Sequence, residues 1–230
     1  MSTLAIIPAR KGSKRLPDKN KRDFAGQPLI TYAIRACLAA SRIDTVVVNT
    51  DDPDILALAG DFPEILFMQR PIAIAGDKAP AIQYVVHTLD QLPATDSIET
   101  IVIVQPTSPL TEGSDIDATL QLLNSTGADS AVSVMKLDHA VHPVKMKLLV
   151  GDKLYPYLEK ENGRMATHEL PDIYVRNCSV YATKRRIIEA GQIIGPDCRA
   201  YVMPRERSID INDRLDFELA LIMYQTSTHE

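Results

Sequence analysis

Cysteine is scarce in this chain, and the few cysteines present form no pattern. The 230 residues include only Cys37, Cys178 and Cys198, which lie far apart and make no C-x-x-C pair. An odd and scattered set of this kind indicates neither a disulfide framework nor a zinc cluster. We therefore expect Cys37, in a helical pattern, and Cys178, in a strand pattern, to be buried thiols.

Long apolar runs and a basic surface are also missing. No stretch approaches the ~20 apolar residues of a membrane span, and the short apolar run at the N-terminus leads into charges, unlike a signal peptide. The net charge of -5 and the pI of about 5.6 argue against a nucleic-acid binder. No G-x-G-x-x-G follows the first strand pattern, which argues against an ordinary dinucleotide site. We expect a cytoplasmic protein without membrane or nucleic-acid partners.

Along most of the chain, buried strand patterns alternate with amphipathic helix patterns. After the first strand pattern at residues 4–7, further strands are predicted at 45–50, 65–68, 100–104, 130–135, 179–182 and 200–203. Helices are predicted at 28–40, with Pro28 in the first turn, and at 54–59, 80–92, 114–123, 184–190 and 214–224. This alternation predicts a three-layer α/β fold whose sheet is mostly parallel.

The alternation breaks between residues 137 and 174. We predict one α/β domain made of residues 1–136 and 175–230, with residues 137–174 inserted as an arm. The arm carries several apolar residues that need covering: Met146, Leu148, Leu149, Val150, Leu154 and Leu158. We therefore expect a small β-rich arm that packs on a second subunit and forms a homodimer.

A strongly basic loop follows the first strand pattern directly. Within residues 8–20 it contains five cations: Arg10, Lys11, Lys14, Arg15 and Lys19. Open parallel sheets bind ligands at the carboxyl ends of their strands, and backbone N–H groups together with cations suit a triphosphate. Gly12 allows the backbone to approach a ligand closely, and Ser13 adds a hydroxyl. The alternative is a solvated loop, but positive charge concentrated in an acidic chain favours a ligand site.

Five sequence blocks together resemble the acylneuraminate cytidylyltransferase family. They begin at residues 6, 49, 105, 176 and 208 and read I-I-P-A-R-K-G-S-K-R-L-P-D-K-N, N-T-D, Q-P-T-S-P-L, R-N-C-S-V-Y and S-I-D-I-N-D. The resemblance implies a Rossmann-like fold of the nucleotide-diphospho-sugar transferase type. It also implies that CTP and a nine-carbon α-keto acid sugar react to give a CMP-sugar and pyrophosphate, with Mg²⁺ or Mn²⁺.

The resemblance also implies residue roles. The nucleotide-binding group is Ala9, Arg10, Gly12, Ser13, Asn20, Arg70 and Gln105. The substrate-binding group for the sugar acid is Gln105, Thr107, Ser108, Lys145, Arg176 and Asn177. The metal-binding pair is Asp210 and Asn212. The catalytic group is Arg10, Lys14, Lys19 and Asp210. All of these roles require Arg10 and Asp210 to face one cleft.

Several alternatives stay open at the level of sequence. Arg70 would fit a surface ion pair equally well, the Q-P-T-S-P segment a proline-stiffened loop, and Asn212 or Asp213 the cap of the last helix. His139 and His142 suit surface positions better than a metal pair. The chain departs from the family pattern at a few positions: Pro80–Ala81, Thr111, His168 and Asn212. An eight-carbon acid such as Kdo is a rival substrate, and a non-catalytic nucleotide-binding protein is a rival function.

Overall fold

The computed structural model of the chain describes residues 2–93, 95–158 and 170–227. Its strands are β1 (Ser2–Ala9), β2 (Asp23–Phe24), β3 (Gln27–Pro28), β4 (Thr45–Thr50), β5 (Leu66–Gln69), β6 (Ile98–Val104), β7 (Ser130–Lys136), β8 (Lys147–Val150), β9 (Lys153–Pro156), β10 (Tyr174–Lys184) and β11 (Cys198–Val202). Its helices are α1 (Ile30–Ala39), α2 (Pro53–Leu56), α3 (Ala81–Gln91), α4 (Gly113–Thr126), α5 (Arg185–Glu189) and α6 (Arg214–Ser227). The predicted alternation of strands and helices is confirmed.

The main sheet is mostly parallel, as predicted. Its strand order is β11-β7-β10-β6-β1-β4-β5. Strand β10 runs antiparallel to both of its neighbours, while the other pairs are parallel. The carboxyl ends of β1, β4, β5 and β6 therefore meet at one edge of the sheet, where the loops that begin at residues 10, 51, 70 and 105 lie together.

Helices cover both faces of the sheet, which makes the three layers. Alternate residues of β1 point to opposite sides: Ala5 and Ile7 pack with α1 and α4, whereas Leu4 and Ile6 pack with α3 and α5. On the first face α4 approaches α1 so closely that a Cβ on Gly113 would lie 2.7 Å from the Ala39 carbonyl carbon. Only glycine fits at that crossing.

Two local predictions differ from the structure. Pro28 does not begin a helix: residues 23–28 form a tight hairpin in which Asp23 pairs with Pro28, and α1 begins at Ile30. The predicted strand at 179–182 is the centre of the much longer β10, which begins at Tyr174. In both places pairing with a neighbouring segment sets the boundary, and a single-segment pattern does not contain that information.

Strand β10 is irregular near its middle. Its pairing with β7 shifts between Arg176 and Tyr181, and Cys178 between them has a φ of 60°. The buried Asn177 side chain holds this bulge, since it accepts a hydrogen bond from the Ser133 hydroxyl at 2.7 Å. Cys178 is consequently only partly buried, contrary to the expectation of a buried thiol.

The arm contains a hairpin of β8 and β9 that stands apart from the main sheet. Its apolar side chains are exposed in the single chain: Met146, Leu148, Leu149, Val150, Leu154, Tyr155, Tyr157 and Leu158. Residues 159–169 of the arm, with His168, lie outside the described residues. Neither the dimer role of the arm nor the predicted domain division is tested by these features. Across the described ranges, no helix has the length and apolar character needed to cross a membrane.

Candidate functional site

A cleft of about 260 Å³ lies at the carboxyl edge of the sheet. Seven of the predicted site residues line it: Arg10, Ser13, Lys19, Asn20, Arg70, Gln105 and Thr107. They come from the loops after β1, β5 and β6, which the parallel strand order brings to one edge. Three of these side chains are cations, so the cleft suits an anionic ligand.

Two sets of contacts hold the basic loop after β1 in place, one apolar and one through a hydrogen bond. Leu16 packs in an apolar cluster with Phe24, Ile211 and Phe217, which joins the loop to the segment before α6. The Asn20 side chain is buried and donates a hydrogen bond to the Arg10 carbonyl at 3.2 Å. Gly12 has open space around its Cα, and Ala9 is fully buried at the end of β1.

The segment that carries Asp210 is fixed against two of the loops at the cleft. The Ile211 N–H donates to the Thr107 carbonyl at 2.8 Å, and the Lys19 ammonium donates to the Ile211 carbonyl at 2.6 Å. Asp210 therefore lies beside the basic loop, and its charge acts on Lys19. Arg10 lines the cleft, while Asp210 lies on the neighbouring segment before α6 and is not among the lining residues. The shared cleft that the predicted roles require stays a prediction.

The predicted metal residues supply hard oxygen atoms but not a complete cage. The Asp210 carboxylate accepts a hydrogen bond from the Asn212 amide nitrogen at 3.0 Å, while the Asn212 amide oxygen accepts one from Arg15 at 2.7 Å. No group of three or more His, Cys, Asp or Glu residues suited to a metal occurs in the described part of the chain. Asp210 fits a Mg²⁺ ion that takes one carboxylate together with phosphate oxygens and water. Asn212 fits only if Arg15 releases its oxygen.

Asp213 caps the last helix, as the alternative interpretation of this segment suggested. Its carboxylate accepts hydrogen bonds from the N–H groups of Leu215 at 2.9 Å and Asp216 at 3.1 Å. Asp216 in turn accepts from the Asn212 N–H at 2.8 Å. These contacts use Asp213 and Asp216 at the start of α6, whereas the Asp210 carboxylate takes no part in this cap.

Two of the loop cations share one acidic partner. Arg10 and Lys14 each form an ion pair with Asp77, which lies in the segment between β5 and α3. The ammonium of Lys14 and the guanidinium of Arg10 lower the pKa of Asp77. The carboxylate therefore binds the two cations that were predicted to bind phosphate.

Lys19 is a partly buried cation of the cleft, and Arg70 is a buried one. Burial lowers the pKa of Lys19, and nearby Arg15 and Arg10 lower it further, while Asp210 opposes the shift. Arg70 is 4% exposed, which excludes the alternative of a surface ion pair. Its Nε and Nη2 donate to the Asn49 side-chain and backbone oxygens, each at 2.7 Å.

The surroundings of Arg70 are otherwise neutral. Its guanidinium carbon lies 4.9 Å from the centre of the Tyr84 ring, a cation–π geometry. Asn49 is itself fixed, because its amide nitrogen donates to the Thr88 hydroxyl at 2.9 Å. Among the described residues Arg70 has no ion-pair partner, and Asp51 acts on it only through space. The Arg70 guanidinium is buried and forms no ion pair with a described carboxylate. Burial therefore lowers its pKa, and the site favours an anionic ligand.

The loop after β6 contributes mainly through its backbone and one amide. Gln105 and Thr107 line the cleft, while Ser108 is fully buried and its hydroxyl has no hydrogen-bond partner in the described ranges. The Thr111 hydroxyl closes the turn by donating to the Ser108 carbonyl at 2.8 Å. Thr111, one of the departures from the family pattern, thus stabilises the loop.

The three remaining sugar-side predictions fall in different environments. Arg176 is exposed, and its charge and that of Asp210 both act on Tyr181. Asn177 contacts Ser133, Met203 and Ser208 inside the protein, which gives it a structural role.

Lys145 lies on the arm and contacts His139 at 2.9 Å. His142 is buried and contacts the Val144 N–H and the Pro171 carbonyl, so it does not occupy the surface position expected for it. Neither Lys145 nor Arg176 lines the cleft of about 260 Å³. The substrate-binding assignments of these side chains stay predictions.

Sequence reasoning missed three residues that shape the cleft: Asn49, Asp77 and Tyr84. Asn49 lies in the N-T-D block, and Asp77 lies in none of the five blocks. Tyr84 is a regular apolar position of a helix. The chain contains no local signal for their roles, because their partners are more than seven residues away in sequence.

Comparison with known proteins agrees with this geometry. A family model described as Cytidylyltransferase matches residues 4–192. The CMP-N,N'-diacetyllegionaminic acid synthase of Legionella pneumophila is 32% identical over 95% of this chain and 94% of the relative. The N-acylneuraminate cytidylyltransferase of Escherichia coli is 28% identical over 99% of this chain, which spans 53% of that longer relative. The pseudaminic acid cytidylyltransferase of Campylobacter jejuni is 27% identical over 100% and 99% of the two chains.

Solved structures confirm the fold type. A CMP:2-keto-3-deoxy-manno-octonic acid synthetase complexed with CTP has a TM-score of 0.72 at 16% identity, covering 99% of this chain and 100% of that chain. A 4-diphosphocytidyl-2C-methyl-D-erythritol synthase has a TM-score of 0.67 at 11% identity, covering 97% and 98%. With the family match over most of its length, the chain belongs to the cytidylyltransferase family and is an enzyme of the acylneuraminate cytidylyltransferase type.

Proposed function

We propose that this chain transfers a cytidylyl group from CTP to a nonulosonic acid, giving a CMP-sugar acid and pyrophosphate. The observation that carries the proposal is a buried guanidinium, Arg70, without a carboxylate partner in the described residues, in a cleft that also contains Arg10 and Lys19. A polyanion such as a nucleotide triphosphate would neutralise these charges. The three relatives named above carry nonulosonic acids in their names, which supports that acceptor class.

The chain's cations would act on the phosphates in complementary ways. The anomeric hydroxyl oxygen of the acid forms a bond to the α-phosphorus, the bond to the bridging oxygen breaks, and pyrophosphate leaves with the electron pair. Arg10, Lys14 and Lys19 would neutralise charge on the leaving pyrophosphate, so that it departs at a lower energy. The proton of the attacking hydroxyl passes to solvent, and no side chain is assigned as its base.

A divalent cation would bind at the edge of the cleft that Asp210 occupies. Mg²⁺ or Mn²⁺ there would supply charge neutralisation between the phosphates. Asp210 would hold the ion, and the Asn212 amide oxygen would join it only after Arg15 releases that oxygen. The Lys19 contact with the Ile211 carbonyl fixes the distance between the acidic segment and the basic loop.

The acceptor and the second subunit are proposed on the arm side. Exposed Arg176 offers a planar guanidinium for the carboxylate of the acid, and Lys145 would contribute from the arm. The exposed apolar hairpin of β8 and β9 would pack against its copy in a homodimer. A cytoplasmic location and the absence of a nucleic-acid partner stay predictions.

Pyrophosphate release tests the proposed activity. The protein is incubated with CTP and Mg²⁺ and with a panel of acids: N-acetylneuraminate, legionaminate, pseudaminate and Kdo. We expect release with at least one nine-carbon acid and little with Kdo, with Mg²⁺ removed by chelation as the control. Release with Kdo alone would favour the eight-carbon alternative. No release from any acid, while CTP still binds, would favour a non-catalytic nucleotide-binding protein.

A further inference from the structure

The Tyr84 side chain is the buried polar group of the cleft whose hydroxyl has no partner. The residue lines the cleft and is 7% exposed. Its hydroxyl lies near the Gln105 side chain, but makes no hydrogen bond of normal geometry within the described part of the chain. A buried hydroxyl without a partner costs stability, so a native protein that retains one calls for an explanation.

The position of Tyr84 between two predicted ligand-binding side chains supplies that explanation. The ring lies under the Arg70 guanidinium, and the hydroxyl reaches toward Gln105 on the opposite wall. Helix α3 is fixed at this point, because the Thr88 hydroxyl donates to the Tyr84 carbonyl at 2.8 Å and accepts from Asn49. The ring therefore cannot move away without disturbing the Arg70 site.

The chemistry of the hydroxyl suits a neutral polar group on a ligand. Burial raises the pKa of Tyr84, so the phenol stays protonated and can donate as well as accept. The adjacent wall, which includes Ile74, Gly76, Ala79 and Ala81, contributes no side-chain hydroxyl to the cleft. The phosphates would bind the cations of the basic loop and Arg70, and the neutral Tyr84 hydroxyl and Gln105 amide beside them would bind the nucleoside.

We propose that the Tyr84 hydroxyl is a specificity-determining contact that forms a hydrogen bond to the nucleoside part of the nucleotide. The inference rests on the proposed function for the identity of the nucleotide. Gln105 covers the hydroxyl in the ligand-free protein, and a nucleoside that binds the Gln105 amide would uncover it. Tyr84 and Gln105 would thereby form the nucleoside side of the cleft, next to the Arg70 guanidinium.

The test is Tyr84→Phe, which removes the hydroxyl and keeps the ring under Arg70. We expect the Kd for CTP, measured by calorimetry, to rise about 3- to 10-fold, as for the loss of one hydrogen bond. The Tm of the ligand-free protein should not fall, because the hydroxyl has no partner to lose. Binding of inorganic pyrophosphate, which has no nucleoside, should be unchanged.

Tyr32→Phe is the matched control. Tyr32 is also buried, but its hydroxyl donates to the Phe24 carbonyl at 2.7 Å in an aromatic cluster that does not line the cleft. This variant should lower the Tm and leave the Kd for CTP unchanged. The Tyr84 variant should change the Kd without lowering the Tm, and the Tyr32 variant should lower the Tm without changing the Kd. The two variants together distinguish a ligand contact from a structural contact.

Three results would overturn the proposal. An unchanged Kd for CTP in Tyr84→Phe would remove the hydroxyl from the site. A lower Tm with unchanged binding would show an internal partner, and equal weakening of pyrophosphate and CTP would show an effect through Arg70. Titration of both proteins with 2′-deoxy-CTP assigns a confirmed contact to the ribose 2′-hydroxyl or to the rest of the nucleoside. These titrations need no transfer reaction, so failure of the acid panel alone would contradict the proposed activity and leave the inference standing.

Discussion

Two buried charges in this protein have very different partners. Asp115, at the start of α4, is fully buried and accepts two hydrogen bonds from the Arg207 guanidinium, at 2.7 and 3.0 Å. Arg70 is almost as deeply buried, but it contacts a neutral amide, a backbone carbonyl and an aromatic ring. The first charge is paired within the protein, whereas the second has no ion-pair partner among the described residues and is affected by Asp51 only through space.

The difference separates a structural ion pair from a binding group. Asp115 and Arg207 tie the segment before α6 to α4, so their interaction stabilises the fold. Burying the Arg70 guanidinium costs free energy, and Asn49 holds it in the buried position. Its burial therefore lowers the free energy of unfolding of the ligand-free protein and favours ligand binding. Matched substitutions in the two places should therefore have opposite consequences.

Arg70→Met should give the largest effect on activity. The substitution keeps an unbranched apolar stem and removes the charged guanidinium, so the kcat/KM for CTP should fall about 1000-fold, as when a buried charged contact is truncated. The Tm of the ligand-free protein should stay the same or rise, because an uncompensated charge is lost. Steady-state kinetics and thermal melting measure the two quantities, and a large loss of Tm would contradict this account of Arg70.

Arg207→Met should have the reverse pattern. It leaves the buried Asp115 carboxylate without its cation, and the free energy of unfolding should fall by about 2–4 kcal/mol, less than for a fully buried pair because Arg207 is partly exposed. The Kd for CTP should be unchanged. Denaturant titration and calorimetry measure this, and weakened CTP binding at full stability would show that the two charges are not separate in function.

Asp77→Asn should strengthen ligand binding, by a smaller factor than that by which Arg70→Met weakens it. Asp77 competes with phosphate for Arg10 and Lys14, and a partly exposed ion pair is worth little, so the Kd for pyrophosphate should decrease about 2- to 5-fold. The effect should weaken in high salt. Looser binding in the variant would mean that Asp77 positions these cations for the ligand and does not compete with it.

Lys19→Arg should give the smallest effect, confined to alkaline pH. Because burial lowers the pKa of Lys19, its ammonium loses its proton at a lower pH than an exposed lysine, and the kcat/KM for CTP falls there. Arginine keeps its charge, so the alkaline limb of the variant should move to higher pH. Coincident alkaline limbs in the two pH profiles would show that Lys19 does not control that decline.

The fold was largely predictable because each strand or helix has a pattern that is visible in its own local sequence. The β-branched run at 45–50 coincides with β4, and the Asp52 carboxylate caps α2 by accepting from the Asp54 N–H. Boundaries failed where pairing across the chain sets them, as at Pro28 and in the bulge beside Cys178. The basic loop was visible in the sequence because its five cations lie within ten residues, 10–19.

The candidate site was predictable only in part. The cations and Asp210 were found from their blocks, but Asn49, Asp77 and Tyr84 carry no local signal of their contacts. Asn177, inside a recognised block, also holds the bulge of β10, and no sign of that contact is visible in the sequence. Proximity in a motif does not determine what a side chain contacts.

The sequence by itself determined the order of strands and helices, the basic loop after β1 and the family. Hydrophobic periodicity and runs of charge are local properties, so they can be identified without knowledge of the fold. Only the tertiary structure decided which charges are neutralised: Asp115 by Arg207, Arg10 and Lys14 by Asp77, and Arg70 by none of the described carboxylates. That outcome depends on burial and distance between segments far apart in the chain, and these are set when the sheet assembles its edge.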